Sequence, residues 1–159
     1  MVGAVSAIRH SIRPATRADL AGLLALEAGA FAHDRAERRA IRHAIDSPTI
    51  TLLVVEEAGA VAGAATVEHR SRSRVARLTS VAVAPDRLGR GLGGRLLAEA
   101  EARAGARGAA RLRLEVRADN ASAIRLYERA GYHRFKVVPR YYEDGGEAWR
   151  FEKMLDVAR

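Results

Sequence analysis

The sequence predicts an α/β fold with a largely antiparallel first half and a strand–helix–strand crossover in the middle. Three observations carry this. Apolar, β-branched runs separated by short turns fill the first half: Ile50 to Glu56, Val61 to Glu68 and Val75 to Val83. A glycine-rich turn with Gly89, Gly91, Gly93 and Gly94 then leads into a helical stripe of Leu96, Leu97, Ala100 and Ala104. Finally, Arg111 to Arg117 alternates strictly, with Leu112, Leu114 and Val116 on one face and charges on the other, as a half-buried strand does.

In chain order, Ile8 to Arg13 reads as a first strand stopped by Pro14. Thr16-Arg17-Ala18-Asp19 has the form of a capping box, with Asp in place of Glu, heading a helix that carries Leu20, Leu23, Leu24 and Phe31. A second helix is expected from about Asp34 to Ile45, ended by Ser47-Pro48. Gly59 turns the first hairpin, and Ser71-Arg72-Ser73 turns the second. Gly105 and Gly108 are expected to end the crossover helix. Asn120 is a good N-cap for a helix bearing Ile124 and Tyr127 that Gly131 terminates. Tyr132 to Val138 and Ala148 to Leu155 read as two last strands around the turn residues Asp144-Gly145-Gly146.

Composition narrows the function classes. The 159 residues suit one domain, 1–159, and no apolar run approaches the ~20 residues of a spanning helix. Met1 to Ser6 lacks the basic and apolar regions of a secretory signal, so no membrane or export role is expected. With no cysteine there is no disulfide, thiolate metal site or Cys nucleophile. His10, His33, His43, His69 and His133 show no metal-ligand spacing, so no metal is expected. The net charge of +8 invites a nucleic-acid reading. Against it, aromatics for base stacking make up only 5%, and the basic residues are almost all Arg, as a coding bias would produce. A positive surface also suits an anionic ligand or an acidic protein partner.

The chemistry concentrates in two stretches. In the first, the strand through Val81, Ala82 and Val83 runs into a turn of Gly89, Arg90, Gly91, Leu92, Gly93 and Gly94. Glycines allow close backbone approach, and the free N–H groups of the following helix favour an anion such as a pyrophosphate. No Gly-Lys-Ser/Thr follows, so it is not a Walker loop, and the glycine spacing is not the dinucleotide fingerprint. The plain alternative is a glycine turn in a glycine-rich chain. In the second, Leu112 to Tyr132 reads LRLEVRADNASAIRLYERAGY. Glu115 there stands between Arg113 and Arg117, either as a base or as an ion-paired strand residue. Tyr127 is either a proton donor or core.

The Arg-Gly-Leu-Gly turn followed by the Asn-x-x-Ala-x-x-x-Tyr-x-x-x-Gly-Tyr pattern resembles the GNAT superfamily of acetyl-CoA-dependent N-acetyltransferases. Within it, LEVRADN at Leu114 to Asn120 and RYYEDG at Arg140 to Gly145 are similar to the ribosomal-protein-alanine N-acetyltransferases. The resemblance spans Ile8 to Leu155. It implies the GNAT fold: a mixed, twisted sheet of about seven strands with helices on both faces, whose central strands splay to admit pantetheine. It implies that the backbone of Val81, Ala82 and Val83 pairs with the pantetheine arm. The N–H groups from Gly89 to Gly94 would hold the pyrophosphate, and Asn120 would contact acetyl-CoA. It further implies Glu115 as general base, Tyr127 as general acid and a cytoplasmic enzyme. Leu88 departs from the family's usual Gln or Arg at that point of the turn, and Arg87 or Arg90 would have to supply any side-chain contact to phosphate.

Seven of the eight aromatics lie between Tyr127 and Phe151. They either pack the last strands or, as the resemblance implies for Tyr141 and Tyr142, wall a substrate channel. Arg70, Arg72, Arg74 and Arg77 read as a solvated hairpin tip, with a docking surface for an acidic partner or ribosomal RNA as the alternative. The acceptor the resemblance favours is a protein or peptide N-terminus, including a ribosomal one. At pH 7 an α-amine of pKa ~8 is about 10% neutral and a lysine of pKa ~10.4 about 0.04%, so an N-terminus asks less of a single base. The rivals are a small-molecule amine acetyltransferase, which would want clustered acids, and a non-catalytic acyl-CoA-binding module. Oligomeric state is not read from the sequence.

Overall fold

The computed structural model describes residues 11–31 and 36–156. Its elements are β1 (Ile12–Pro14), α1 (Leu20–Ala30), α2 (Arg38–Asp46), β2 (Ile50–Glu57), β3 (Ala60–Glu68), β4 (Val75–Val83), α3 (Leu92–Ala106), β5 (Arg111–Arg117), α4 (Ala121–Arg129), β6 (His133–Val138) and β7 (Ala148–Met154). One seven-stranded sheet runs in the order β1-β2-β3-β4-β5-β7-β6. The single parallel contact, β4 with β5, is the one that the crossover through α3 requires. Helices cover both faces. Leu92, Leu96, Leu97 and Ala100 of α3 and Ile124 and Tyr127 of α4 pack with Leu53, Leu112 and Phe151 on one side. Leu23 and Leu26 of α1 and Ile41 of α2 pack with Leu52, Val54 and Ala82 on the other. No helix among the described residues is long and apolar enough to cross a membrane.

Three expectations need correcting. The first strand does end at Pro14, but it takes Pro14 in as its last residue, opposite Leu53, instead of stopping at Arg13. β1 is an edge strand, where a residue without an N–H leaves no ladder bond unmade. The expected start of this strand, Ile8 to His10, lies outside the described residues, as do His33 and the Asp34 start of the second helix. Gly105 does not end the crossover helix but lies inside α3. A Cβ there would sit 2.6 Å from the Asp156 carbonyl oxygen, so Gly105 admits the returning C-terminal backbone, and Gly108, at φ +92°, makes the turn. Arg113 and Arg117 are not the partners of Glu115. Glu115 pairs instead with Arg77 of β4, at 3.1 Å, and Arg150 of β7, at 3.3 Å. Residues i and i+2 on one strand stand ~6.6 Å apart, whereas directly opposed cross-strand side chains stand ~5 Å apart.

The capping box of Thr16 and Asp19 heads a 3-10 turn, Arg17–Asp19, that runs directly into α1. The Asp19 carboxylate accepts from the Thr16 N–H at 2.7 Å and from both terminal nitrogens of Arg13 at 2.8 and 2.9 Å. It is the one charged side chain buried among the described residues. It thereby ties the edge strand to the first helix. The Arg13 bonds, opposed by desolvation and aided by Thr16, hold the Asp19 carboxyl below its ordinary value. A lowered pKa adds stability above the unfolded value near 4, which is lost as pH falls through the folded one. Asp19→Asn is therefore expected to cost about 1–3 kcal/mol at pH 7. The deficit should close as pH falls below about 4. Urea unfolding of both proteins at pH 7 and pH 3 measures it; an equal deficit at both values rules this account out.

Candidate active site

The site begins with a break in the sheet. β4 and β5 pair only from Val75 to Arg77 and from Arg111 to Arg113. Beyond that point β4 stays on β3 through Val83, and β5 stays on β7 through Arg117. A bulge marks the separation: Thr66 pairs with Ser80 and Val67 with Leu78, leaving Thr79 as the extra residue of β4. Such a bulge bends its strand and increases its twist. The Ala84 N–H donates to the Ala62 carbonyl at 2.8 Å. Alternation along an antiparallel ladder then turns the Ala82 groups toward β3. The N–H and C=O of Val81 and Val83 are left facing the side that β5 vacates.

A cavity of about 530 Å³ occupies this gap and passes through the sheet. Val116, Asn120, Ala123 and Tyr127 line it on the side of α3 and α4. Leu23, Leu26, Glu27, Ala40 and Ile41 line it on the side of α1 and α2. Val81, Ala82, Glu115, Arg117 and Tyr142 stand between. The fold thus brings Val81, Ala82, Glu115, Asn120, Tyr127 and Tyr142 to one channel. Val83, Tyr141 and the turn from Gly89 to Gly94 are outside its lining.

Tyr127 is anchored in α4 by ring contacts with Tyr132, at 5.9 Å, and Phe151, at 6.5 Å. Its hydroxyl makes no hydrogen bond to any described residue. Burial, with Tyr142 adding a smaller push, raises its pKa to about 12, so it stays protonated and able to donate. The Glu115 carboxylate accepts from Arg77 Nε at 3.1 Å. A carboxylate offers about four lone-pair sites, so the two guanidiniums do not exhaust it. Arg77 also donates to the Tyr141 hydroxyl at 3.2 Å. Tyr141 is thus linked to the channel through Arg77 and Glu115, while the Tyr142 ring lies on the channel under the Arg117 guanidinium, 4.1 Å away. The two rings meet edge to face at 5.0 Å. Their loop is held by Tyr141 and Tyr142 N–H bonds to the Gly146 carbonyl, by a tight turn from Tyr142 to Gly145, and by the Arg117–Asp144 pair.

The glycine turn lies past the C-terminal end of β4. Gly89 and Gly91 have φ of +81° and +77°, the left-handed region that the turn needs. Gly91 caps α3, whose first intrahelical bond is Arg95 N–H to Gly91 O at 3.1 Å, so the N–H groups of Leu92, Gly93 and Gly94 precede it without helical partners. A Cβ on Gly91 or Gly94 would meet nothing within 4 Å, so the outside of the turn is open to a ligand. Gly93 instead faces Leu126, 3.4 Å from its ideal Cβ, and packs α3 on α4. Leu88 is exposed. Arg87 donates to the Glu57 carboxylate at 3.0 Å, and Arg90 meets the same carboxylate. Asn120 Oδ1 accepts from Ala123 N–H at 3.2 Å and caps α4, and the residue lines the channel.

Sequence reasoning missed Glu27, whose carboxylate lines the channel and accepts from the Ala36 N–H at 2.9 Å. Desolvation raises its pKa, with the Ala36 bond opposing. The signal was available: Glu27 is the only charged residue from Leu20 to Phe31, a helix otherwise apolar around its circumference. Glu68 and His43 also reach the wall, from elements where nothing in the local pattern marks them. Among the described residues no three His, Asp or Glu side chains gather as a metal site would require.

An unpaired strand edge, a transverse channel and an open helix N-terminus fit the amides, thioester arm and pyrophosphate of a coenzyme A ester. The comparisons agree. The Escherichia coli [ribosomal protein bS18]-alanine N-acetyltransferase is 45% identical over 74 residues, which are 45% of this chain and 50% of that one. A Mycobacterium leprae protein is 48% identical over 67 residues, 42% of this chain and 18% of its own. The chain thus spans about half the length, or less, of these relatives. The crystal structure of the ribosomal-protein-S18-alanine N-acetyltransferase from Escherichia coli superposes with a TM-score of 0.83 at 28% identity, covering 95% of this chain and 97% of that one. The acetyltransferase (GNAT) family model matches residues 17–132. That match takes in everything from the first helical turn to the end of α4, including the parted strands and the glycine turn, and the chain belongs to this family of acetyl-CoA-dependent N-acetyltransferases.

Proposed function

We propose that the chain transfers the acetyl group of acetyl-CoA to the N-terminal α-amine of a protein or peptide, with Glu115 as base and Tyr127 as acid. The observation that carries this reading is the channel itself. It joins the two faces of the sheet, and it sets Glu115 and Tyr127 on one continuous wall. Donor and acceptor enter from opposite faces and meet where β4 and β5 have parted. The α1 and α2 side is lined by Leu23, Leu26, Phe31, Ala36, Ala40 and Ile41, which suits a small first residue such as Ala or Ser.

Bound acetyl-CoA supplies a thioester carbonyl carbon that a neutral amine attacks. The chain's own groups do the rest. The N–H and C=O of Val81 and Val83 hold the pantetheine amides as an added strand would, and the same N–H groups offer donors to the acyl oxygen. Ala82 presents its side chain to the channel between them. The N–H groups from Gly89 to Gly94 meet the pyrophosphate, with Arg90 and Leu92 contributing backbone donors, and Asn120 offers its amide from the other strand end. Glu115 takes the proton of the incoming ammonium, directly or through one water, and Arg77 and Arg150 keep its carboxylate in place. Tyr127 gives its proton to the departing thiolate, and the second proton, shed by the nitrogen as the amide forms, restores the Tyr127 hydroxyl through water. Tyr142 borders the acceptor, and Tyr141 steadies Arg77.

One observation favours a second reading, acetylation of a polycationic small molecule. Glu27, Glu68 and Glu115 all reach the channel, although the sequence separates the first two by 41 positions and the last two by 47. The same measurement separates the readings: a peptide panel with each member offered with a free N-terminus and an internal Lys, and again with the N-terminus blocked, beside free polyamines. Free N-termini should be acetylated at least about 10-fold faster, in line with the ~250-fold larger neutral fraction of an α-amine. Equal rates on blocked peptides or polyamines reject the N-terminal assignment.

Tyr127→Phe should lower kcat by about 10²–10⁴-fold with the acetyl-CoA dissociation constant nearly unchanged. A loss of only a few-fold makes Tyr127 a packing residue. Glu115→Gln should lose most activity at low pH, where more of the amine arrives protonated. A loss uniform from pH 6 to pH 9 assigns Glu115 to the cross-strand pair with Arg77 and Arg150 instead of to proton transfer.

A further inference from the structure

We infer that the uncovered face of β5, β7 and β6 beside the channel is a docking surface for an acidic polypeptide segment that follows the acceptor amine, an inference that rests on the N-terminal reading above. The helices α1 and α2 pack chiefly on β2, β3 and β4, and none of their buried core partners comes from β5, β6 or β7; from the loop after β6, Tyr141 reaches Arg77 and Arg150 at the channel end of this face. The face bearing Glu115 therefore continues from the channel mouth across three strands without a helix over it.

Its registers set cations in rows. Lys136 of β6 stands opposite Arg150 of β7, which stands opposite Glu115 of β5. Glu152 of β7 stands opposite Arg113 of β5, which stands opposite Arg77 of β4. Directly opposed residues share a face, and like charges so placed cost stability. Here Lys136 faces Arg150 and Arg113 faces Arg77. A sheet designed for stability alone would alternate the signs.

The vertical arrangement strengthens the point. The two acids lie at the floor, with Glu115 15% and Glu152 14% exposed, while Arg77 and Arg113 remain 45% and 41% exposed above them. Glu152 is shared by Arg111, Arg113 and His133, and Glu115 by Arg77 and Arg150. Lys136 is exposed with no ion pair to a described residue. On β5, β6 and β7 the cations thus stand outermost over acids that are already bound, and the one exposed acid of the same row, Glu68 of β3, lies opposite Arg77 at the far edge. Phe135, the bulge residue of β6, lies 41% exposed with the Arg113 guanidinium 5.0 Å from its ring centre, an amphipathic patch within the basic one. A polypeptide with acidic side chains complements this pattern. RNA complements it less well, because the rings its bases would stack on, Phe135 and Tyr141, are already met by Arg113 and Arg150.

The experiment has a binding arm and a rate arm. Fluorescence anisotropy with N-terminally blocked peptides, carrying four Glu or four Lys at positions 4 to 9, reads docking without turnover. The acidic peptide should bind at least about 10-fold more tightly at low salt, with the preference fading toward unity near 0.5 M salt, where the screening length falls to a few Å. Initial rates on the same peptides with free N-termini should show the same ratio in KM and not in kcat. Lys136→Glu should reduce the acidic-over-basic ratio in both arms. Equal binding of the two peptides, a ratio indifferent to salt, or a ratio unmoved in a folded Lys136→Glu protein overturns the docking surface. So does an RNA oligonucleotide that displaces the acidic peptide at equal charge. If docking is found but no free N-terminus is acetylated, the acceptor reading fails and the surface stands.

Discussion

The parting of β4 from β5 after Arg77 and Arg113 is the constraint on which the rest of the site depends. Strands in the middle of a sheet ordinarily spend their N–H and C=O groups on both neighbours, and a buried unpaired group costs ~1–3 kcal/mol. Here each strand gives up one neighbour only. β4 keeps β3, and β5 keeps β7, so the sheet remains continuous on either side of the gap. The groups set free on Val81 face the channel instead of core, and those on Val83 lie beyond its lining toward the glycine turn, so water or an added amide can pair them. The same gap lets side chains from opposite faces, Tyr127 of α4 and Glu27 of α1, line one cavity. Closing the ladder would leave two shallow grooves with the sheet between them.

Electrostatics follows the same geometry. Most ion pairs near the site run across strands, since opposed side chains are neighbours and residues two apart on one strand are not. Glu115 answers to Arg77 and Arg150, Glu152 to Arg111 and Arg113, and Arg117 to Asp144 in the loop after β6. These are partly exposed pairs, each worth ~0–1 kcal/mol, so their value lies in fixing orientation more than in stability. Tyr141, bonded to Arg77, extends this network toward Tyr142 on the channel. The glycine turn is held in a like manner, with Arg87 and Arg90 both drawn to Glu57 at the end of β2, leaving the backbone donors of α3 as the groups open to an anion.

Local chemistry sufficed for much of this molecule. Arg111–Arg117 and Val75–Val83 are strands over the residues that alternation and flanking turns marked, because the period of two and the glycine and serine breaks act within a few residues. Asn120 caps α4, and the turn from Gly89 to Gly91 takes positive φ, for the same reason: a side-chain cap and a missing Cβ need no distant partner. Tertiary context overrode other local signals. Pro14 joined a strand because that strand lies at an edge. Gly105 stayed helical because it makes room for the chain's return at Asp156.

By itself, the sequence determined the element order, the glycine turn and the identity of the residues at the ends of β4 and β5, all of which are encoded in spacings of two to four residues. Only the tertiary structure decided what those residues meet. That Glu115 belongs to Arg77 and Arg150, 38 and 35 positions away, that Glu27 shares a channel with Tyr127, 100 positions away, and that Tyr127 is buried enough for its pKa to rise to about 12 are facts no local stretch contains. Such contacts arise when strands take a register and helices take a face. The free energy that sets them is spread over the whole core, so no short stretch of chain carries it.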